Sequence, residues 1–336
     1  MENRPGTVKV VSSSFYALLR LMLAALVCLP GLAGQVQAGE NVVSTIQKSG
    51  TKSTLLGTFF VSAQRGWTVG AGGTVLKTED AGETWQAVTR RTAALLTSVY
   101  FTDSQHGWIV GQNGTILHTN DSGKQWHRQV AGVGAALYDV YFLNPSQGWI
   151  VGDRGTILRT ANGGATWEDQ SSSTAVDLFG VQFIDAQNGW AVGAIGTILA
   201  TRDGGQNWIQ QATDSATTFF DLYFTDPEGG WVVGSQGAIF QTITSGEKWV
   251  DRTLPCGSPC IRPPDFLQVQ FTGFRAGWII GERGAFLTTT DAGFTWTEPE
   301  LSEPFSLYGL SFPDPKIGWA VGDGGIILKI TVPSSS

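Results

Sequence analysis

Gly148-Trp149-Ile150-Val151-Gly152-Asp153-Arg154-Gly155-Thr156-Ile157-Leu158-Arg159-Thr160-Ala161-Asn162-Gly163-Gly164-Ala165-Thr166-Trp167 is one copy of a stretch that returns along the chain. Its Gly-Trp pair recurs at Trp67, Trp108, Trp149, Trp190, Trp231, Trp278 and Trp319, so the spacing is 41 residues, with one gap of 47 between Trp231 and Trp278. A second tryptophan stands 18 residues after each of the first six, at Trp85, Trp126, Trp167, Trp208, Trp249 and Trp296, and the two series account for all 13 tryptophans. Self-similarity at a fixed period marks a repeat architecture in which each unit buries its apolar face against its neighbours.

Each unit reads as four short strands. In the second copy, Leu96-Thr97-Ser98-Val99-Tyr100-Phe101 suits an inner strand and Gly107-Trp108-Ile109-Val110-Gly111 a second. Gln112-Asn113-Gly114 turns the chain into Thr115-Ile116-Leu117-His118-Thr119, and a further turn leads to a fourth strand beginning at Trp126. Short strands separated by Gly- and Asp-bearing turns signal an antiparallel meander, and four strands in about 40 residues is the size of a propeller blade. The composition agrees: 44 glycines, 11% aromatic and only 15% charged residues fit strands and tight turns and argue against a helical bundle. The expected fold is all-β, a seven-bladed propeller of four-stranded antiparallel blades over residues 39–336, with a six-residue insertion around 254–264.

Closure is legible as well. The seventh unit ends after Ile326-Ile327-Leu328-Lys329-Ile330 without a fourth strand, while Asn41-Val42-Val43-Ser44-Thr45-Ile46 precedes the first unit. Ser44 lies 23 residues before Trp67, the distance from Trp85 to Trp108. The N-terminal segment is therefore in register to complete the last blade and leave no unpaired edge.

Residues 1–38 read as a secretory signal peptide: Arg4, Lys9 and Arg20 with one acid, an apolar run from Leu21 to Gly34, and Val36-Gln37-Ala38 before the cut. Fourteen apolar residues containing Pro30 and Gly31 are too few to span a bilayer. Cys28 is the one candidate for a lipid anchor, but Val27 is not the small residue such an anchor expects. The mature chain is thus expected to be exported, to a periplasm or lumen, with no integral membrane segment. The formal charge is −7, and loss of the leader makes it −9, which disfavours a nucleic-acid partner. In an oxidising compartment Cys256 and Cys260, in Cys-Gly-Ser-Pro-Cys, are expected to pair as a local structural disulfide rather than act as a redox centre.

Thr78-Glu79-Asp80-Ala81-Gly82-Glu83-Thr84-Trp85 resembles the Asp-box of several propeller families. Copies recur at Asp121, Asn162, Asp203 and Asp291, with Thr244 in place of the acid in the fifth. An acid replaced by Asn and Thr at equivalent positions behaves as a hydrogen-bond acceptor, so the motif is expected to be a structural staple. The combined Gly-Trp and Asp-box pattern, as in 148–167 and 189–208, is similar to the photosystem II stability/assembly factor family, over residues 41–332. That resemblance implies an exported, non-enzymatic seven-bladed propeller that works with the newly made D1 reaction-centre subunit and binds through an arginine-rich patch.

On the face formed by the turns between second and third strands and the blade-to-blade connections, the candidate partner-binding residues are Arg90, Arg91, Arg154, Arg262 and Arg283. The partner expected is a subunit of a membrane protein complex: a photosystem II reaction-centre subunit by resemblance, or an envelope transporter. The competing reading is a glycan-acting or glycan-binding Asp-box propeller of sialidase type, which needs facing carboxylates for which Asp153, Glu282 and Asp323 are available. No catalytic residue is assigned, since the regular repeats leave no long catalytic insertion and the tyrosines fall mainly at inner-strand positions. His106, His118 and His127 lack metal-ligand spacing, and the Gly-x-x-Gly-Thr turns join strand to strand, so no metal and no cofactor are expected.

Overall fold

The computed structural model describes residues 42–89, 91–255, 262–299, 301 and 304–333. The expected leader, Arg90, and the Cys256–Cys260 pair lie outside the described residues. Each repeat folds as a meander. In the third blade Leu137–Phe142, Gly148–Gly152, Ile157–Thr160 and Glu168–Gln170 pair in that order, each antiparallel to the next. Seven such sheets follow one another, from the inner strand Leu55–Phe60 of the first to Leu307–Asp314 of the last. Among the described residues no helix is long and apolar enough to cross a membrane.

The seam closes as the repeat register requires. Val43–Gln47 pairs antiparallel with Ile327–Thr331, Val43 opposite Thr331 and Gln47 opposite Ile327, making the fourth strand of the seventh sheet. A side chain fixes the same register. Gln47 donates from Nε2 to the Ala81 carbonyl at 2.9 Å and accepts the Trp85 indole N–H at 3.4 Å. Gln129, two repeats on, does the same to Gly163 at 2.9 Å and Trp167 at 3.3 Å. The N-terminal strand therefore clamps the first blade as an internal outer strand clamps its neighbour.

One blade departs from four strands. Among the described residues the sixth has three, Phe266–Thr272, Ala276–Gly281 and Phe286–Thr289, and its outer position shows a single Thr288–Thr297 bridge. Pro299 follows two residues later and has no N–H to continue the ladder.

The core lies between blades. Seven apolar clusters serve the seven junctions; the one across the seam joins Trp319, Val321 and Ile327 to Leu55, Phe60 and Leu76. At each junction the indole of a Gly-Trp pair faces the phenylalanine near the end of the next inner strand. Trp108 stacks on Phe142 at 3.5 Å, Trp149 on Phe183 at 3.5 Å and, across the seam, Trp319 on Phe60 at 3.6 Å. The second-series tryptophan meets the same ring edge-on, as Trp167 does Phe142 at 5.9 Å. This explains the glycine of the pair: a Cβ on Gly148 would lie 2.5 Å from the Phe142 ring.

The acid turns are built on side-chain hydrogen bonds. The buried Thr119 hydroxyl donates to Asp121 Oδ1 at 2.8 Å and accepts the Gly123 N–H at 3.0 Å, while Asp121 Oδ1 also accepts the Gln125 N–H at 2.9 Å. Asp80, Asp203 and Asp291 repeat this geometry. Asn162 accepts the same two donors at 3.0 and 2.9 Å, and the Thr244 hydroxyl accepts the Lys248 N–H at 2.9 Å. Because a neutral acceptor serves, Asp121→Asn is expected to change unfolding free energy by less than about 0.5 kcal/mol. Thr119→Val leaves the buried Gly123 N–H unpaired and is expected to cost about 1–3 kcal/mol in denaturant unfolding. Equal effects of the two substitutions would contradict this account.

Candidate functional site

The turns between second and third strands bond to the blade-to-blade connections, so both lie on one face: the Asp153 N–H reaches the Ala136 carbonyl at 2.8 Å and the Gly196 N–H the Thr217 carbonyl at 2.7 Å. The middle residue of each turn is left-handed. Gly72 and Gly324 occupy it in the first and seventh blades, at φ 64° and 63°. Arg154 and Arg283 occupy the same register in the third and sixth, at φ 52° and 56°. A side chain there strains the backbone by about 1–2 kcal/mol relative to glycine. The connections hold these tips: the Arg154 N–H donates to Asp177 Oδ1 at 2.9 Å and the Arg283 N–H to Ser306 Oγ at 3.3 Å.

Of the arginines expected on this face, two are brought together. Arg283 donates from Nη2 to the Arg262 carbonyl at 2.9 Å, and Arg262 pairs with Asp265 at 3.4 Å. Arg154 stands three blades away, its guanidinium exposed and only 3.9 Å at closest from Asp153. Arg91 is exposed on the connection from the first blade to the second. Among the described residues, Arg262 and Arg283 meet while Arg154 stands apart. The carboxylates of this face engage tyrosines of their own blades: Asp153 accepts the Tyr138 hydroxyl at 3.5 Å, and Asp323 accepts that of Tyr308 at 3.3 Å.

At the axis the seven inner strands enclose a cavity of about 410 Å³. Every inner strand carries a β-bulge after its first residue, as between Leu137 and Asp139 or Phe219 and Asp221. A bulge places two successive side chains on one side of a strand. Tyr138 and Asp139 therefore both line the cavity, with Tyr141, while Leu137, Val140 and Phe142 fill the junction with the preceding blade.

Polar lining side chains reach the exposed edge of the next inner strand. Asp139 Oδ2 accepts the Val181 N–H at 3.1 Å, Asp221 Oδ2 the Val269 N–H at 2.9 Å and Gln268 Oε1 the Leu310 N–H at 2.5 Å. Asp139 also accepts the Ser98 hydroxyl at 2.8 Å. Burial pushes the Asp139 carboxyl up to about 6, against the opposing pull of the Val181 N–H and Ser98 hydroxyl. Asp221 is raised well above the usual carboxylate range by burial and then by the charge of Asp139. The same enclosure raises the Tyr100, Tyr141 and Tyr223 hydroxyls.

These acids are a pair that repeat reading missed: 139 and 221 are two repeats apart at a position filled elsewhere by Gly57, Ser98, Gly180, Gln268 and Gly309. A raised carboxyl weakens the fold when ionised. Its cost is full well above pH 6, shrinks as pH falls from about 6 and vanishes below the unfolded value of 3.8. Asp139→Asn is therefore expected to raise the unfolding free energy at pH 7.5 by on the order of 3 kcal/mol, seen as a higher melting temperature, and to give no gain at pH 3.5. A variant advantage independent of pH would overturn the assignment.

Comparisons with known proteins agree with this architecture. Residues 40–132, 129–210 and 210–306 match the family described as photosynthesis system II assembly factor YCF48. Among solved structures, one described as YCF48 bound to D1 peptide superposes with a TM-score of 0.70 at 23% identity, covering 90% of this chain and 100% of that one. YCF48 from Cyanidioschyzon merolae gives a TM-score of 0.70 at 22% identity, over 86% of this chain and 98% of that one. A virginiamycin B lyase from Staphylococcus aureus reaches 0.73 at 14% identity, over 87% and 99%, so the fold itself is shared with enzymes. No curated protein matches in sequence. The Gly-Trp and acid-turn repeats that stack these seven blades are thus a family signature covering most of the chain, and the protein belongs to the photosystem II assembly factor YCF48 family.

Proposed function

We propose that the protein is an exported, non-catalytic scaffold in photosystem II assembly, which holds a segment of the D1 reaction-centre subunit on the face of the turns and connections. The observation that carries this reading is the placement of arginine at turn tips. Arg154 and Arg283 sit in left-handed backbone at positions where Gly72 and Gly324 fit without strain, and both residues are exposed. Strained, exposed residues on a rigid frame are the ordinary material of recognition sites. The solved relative with a D1 peptide supports the choice of partner. The lumenal side of a thylakoid membrane is the compartment that fits an export signal and this partner.

The test is binding of a D1 peptide to the mature chain by interferometry. Joint replacement of Arg91, Arg154, Arg262 and Arg283 by Ser is expected to weaken binding at least tenfold, with the melting temperature unchanged or raised, and wild-type affinity is expected to fall with salt. Unchanged affinity in a folded variant would remove this face from the proposal.

A further inference from the structure

The axial cavity has a chemistry that neither the ring's packing nor the arginine face uses. Among the described residues, Asp139 and Asp221 are the only charged ones that line it, and no Lys, Arg or His does. Their structural task does not require charge. Gln268, in the same register, accepts the N–H of the next inner strand as a neutral amide. Gln182 and Gln270, one tier along, accept the Phe224 and Phe312 N–H groups at 2.6 and 2.8 Å. Two ionisable groups are retained where amides suffice, at a cost to the fold.

Geometry joins them. The intervening blade has glycine at this position: a Cβ on Gly180 would lie 3.3 Å from Asp221 Oδ1, while Asp139 bonds the adjacent Val181 N–H. The two carboxyls thus flank one side-chain-free gap. Aromatic rings line the same cavity. Phe59, Tyr100 and Tyr141 form one run, with centroids 4.9 and 5.1 Å apart, and Tyr138, Phe179 and Phe220 another, at 5.2 and 5.6 Å. Ring faces and carboxylates together attract organic cations, whose charge both stabilise. A volume of about 410 Å³ exceeds what one metal ion fills and falls in the range of small-molecule sites.

We propose that the axial cavity binds a small organic cation, an alkylammonium or guanidinium compound, with its charge between Asp139 and Asp221 and its carbon skeleton against the lining rings. This site is independent of the D1 reading, since the peptide-binding residues proposed above lie on the turn face.

Calorimetric titration of the mature chain with choline, and separately with arginine methyl ester, tests it. At least one probe is expected to bind with one-to-one stoichiometry. Asp139→Asn with Asp221→Asn is expected to lower that affinity at least tenfold, and Tyr141→Leu to lower it severalfold while Tyr141→Phe retains it. The asparagine variant keeps an amide oxygen for the Val181 and Val269 N–H groups, as Gln268 does for Leu310, while the Ser98 hydroxyl can turn to accept from the new amide, and its melting curve verifies folding. No binding of either probe, binding unaltered in the folded double variant, or saturation by magnesium or calcium chloride without displacement by choline would overturn the proposal.

Discussion

A chain beginning after Gln47 is expected to lose about 3–6 kcal/mol of stability, seen as a melting temperature lower by roughly 10 °C, and to self-associate in size-exclusion chromatography. The deletion removes the five-residue pairing of Val43–Gln47 with Ile327–Thr331 and the Gln47 clamp on Ala81 and Trp85. The core across the seam keeps its packed side chains, because Trp319 and Phe60 are both retained. What is lost is the cover of one sheet edge, and an uncovered edge templates pairing with a second chain. Gln47→Ala separates the two contributions: it keeps the strand and removes only the side-chain clamp, so about 1–2 kcal/mol is expected. A truncated chain that melts like the intact one and stays monomeric would show that the seam is held by the Trp319–Phe60 junction alone.

That segment also shows what repeat reading delivers. Ser44 has the register of an outer strand because hydrogen-bonded blades impose one spacing on every copy, and the structure pairs Ser44 with Ile330. The tryptophans were legible for the same reason: each junction needs the same ring at the same place. Features that break the repeat were not. The bulge after Leu137 leaves no mark in the alternation of Leu-Tyr-Asp-Val-Tyr-Phe, yet it turns Asp139 and Tyr138 to the same cavity. Spacing alone gave no reason to single out Asp139 or Asp221; comparing that register position across blades would have shown two acids among Gly, Ser and Gln. The turn-face arginines were located by topology, but only contacts revealed that Arg262 and Arg283 meet while Arg154 stands apart.

The second large effect concerns the ring stacks. Phe142→Ala is expected to cost about 3–5 kcal/mol, since the fully buried ring lies between Trp108 at 3.5 Å and the edge of Trp167 at 5.9 Å. Phe271, equally buried, occupies the same register in the sixth blade, but Trp231 sits 5.9 Å from it instead of stacking closely. Phe271→Ala forfeits the same transfer and cavity contributions with a weaker ring–ring contact, so its cost is expected to be about 1 kcal/mol smaller. The difference follows from sequence. The spacing from Trp231 to Trp278 is the one 47-residue interval, and the blade it leads into has three strands among the described residues. The fifth-to-sixth junction is thus where the repeat geometry is most relaxed. Urea unfolding of both variants against wild type decides the matter. Equal losses would mean that transfer and cavity terms set the stability of these junctions and ring geometry adds nothing measurable.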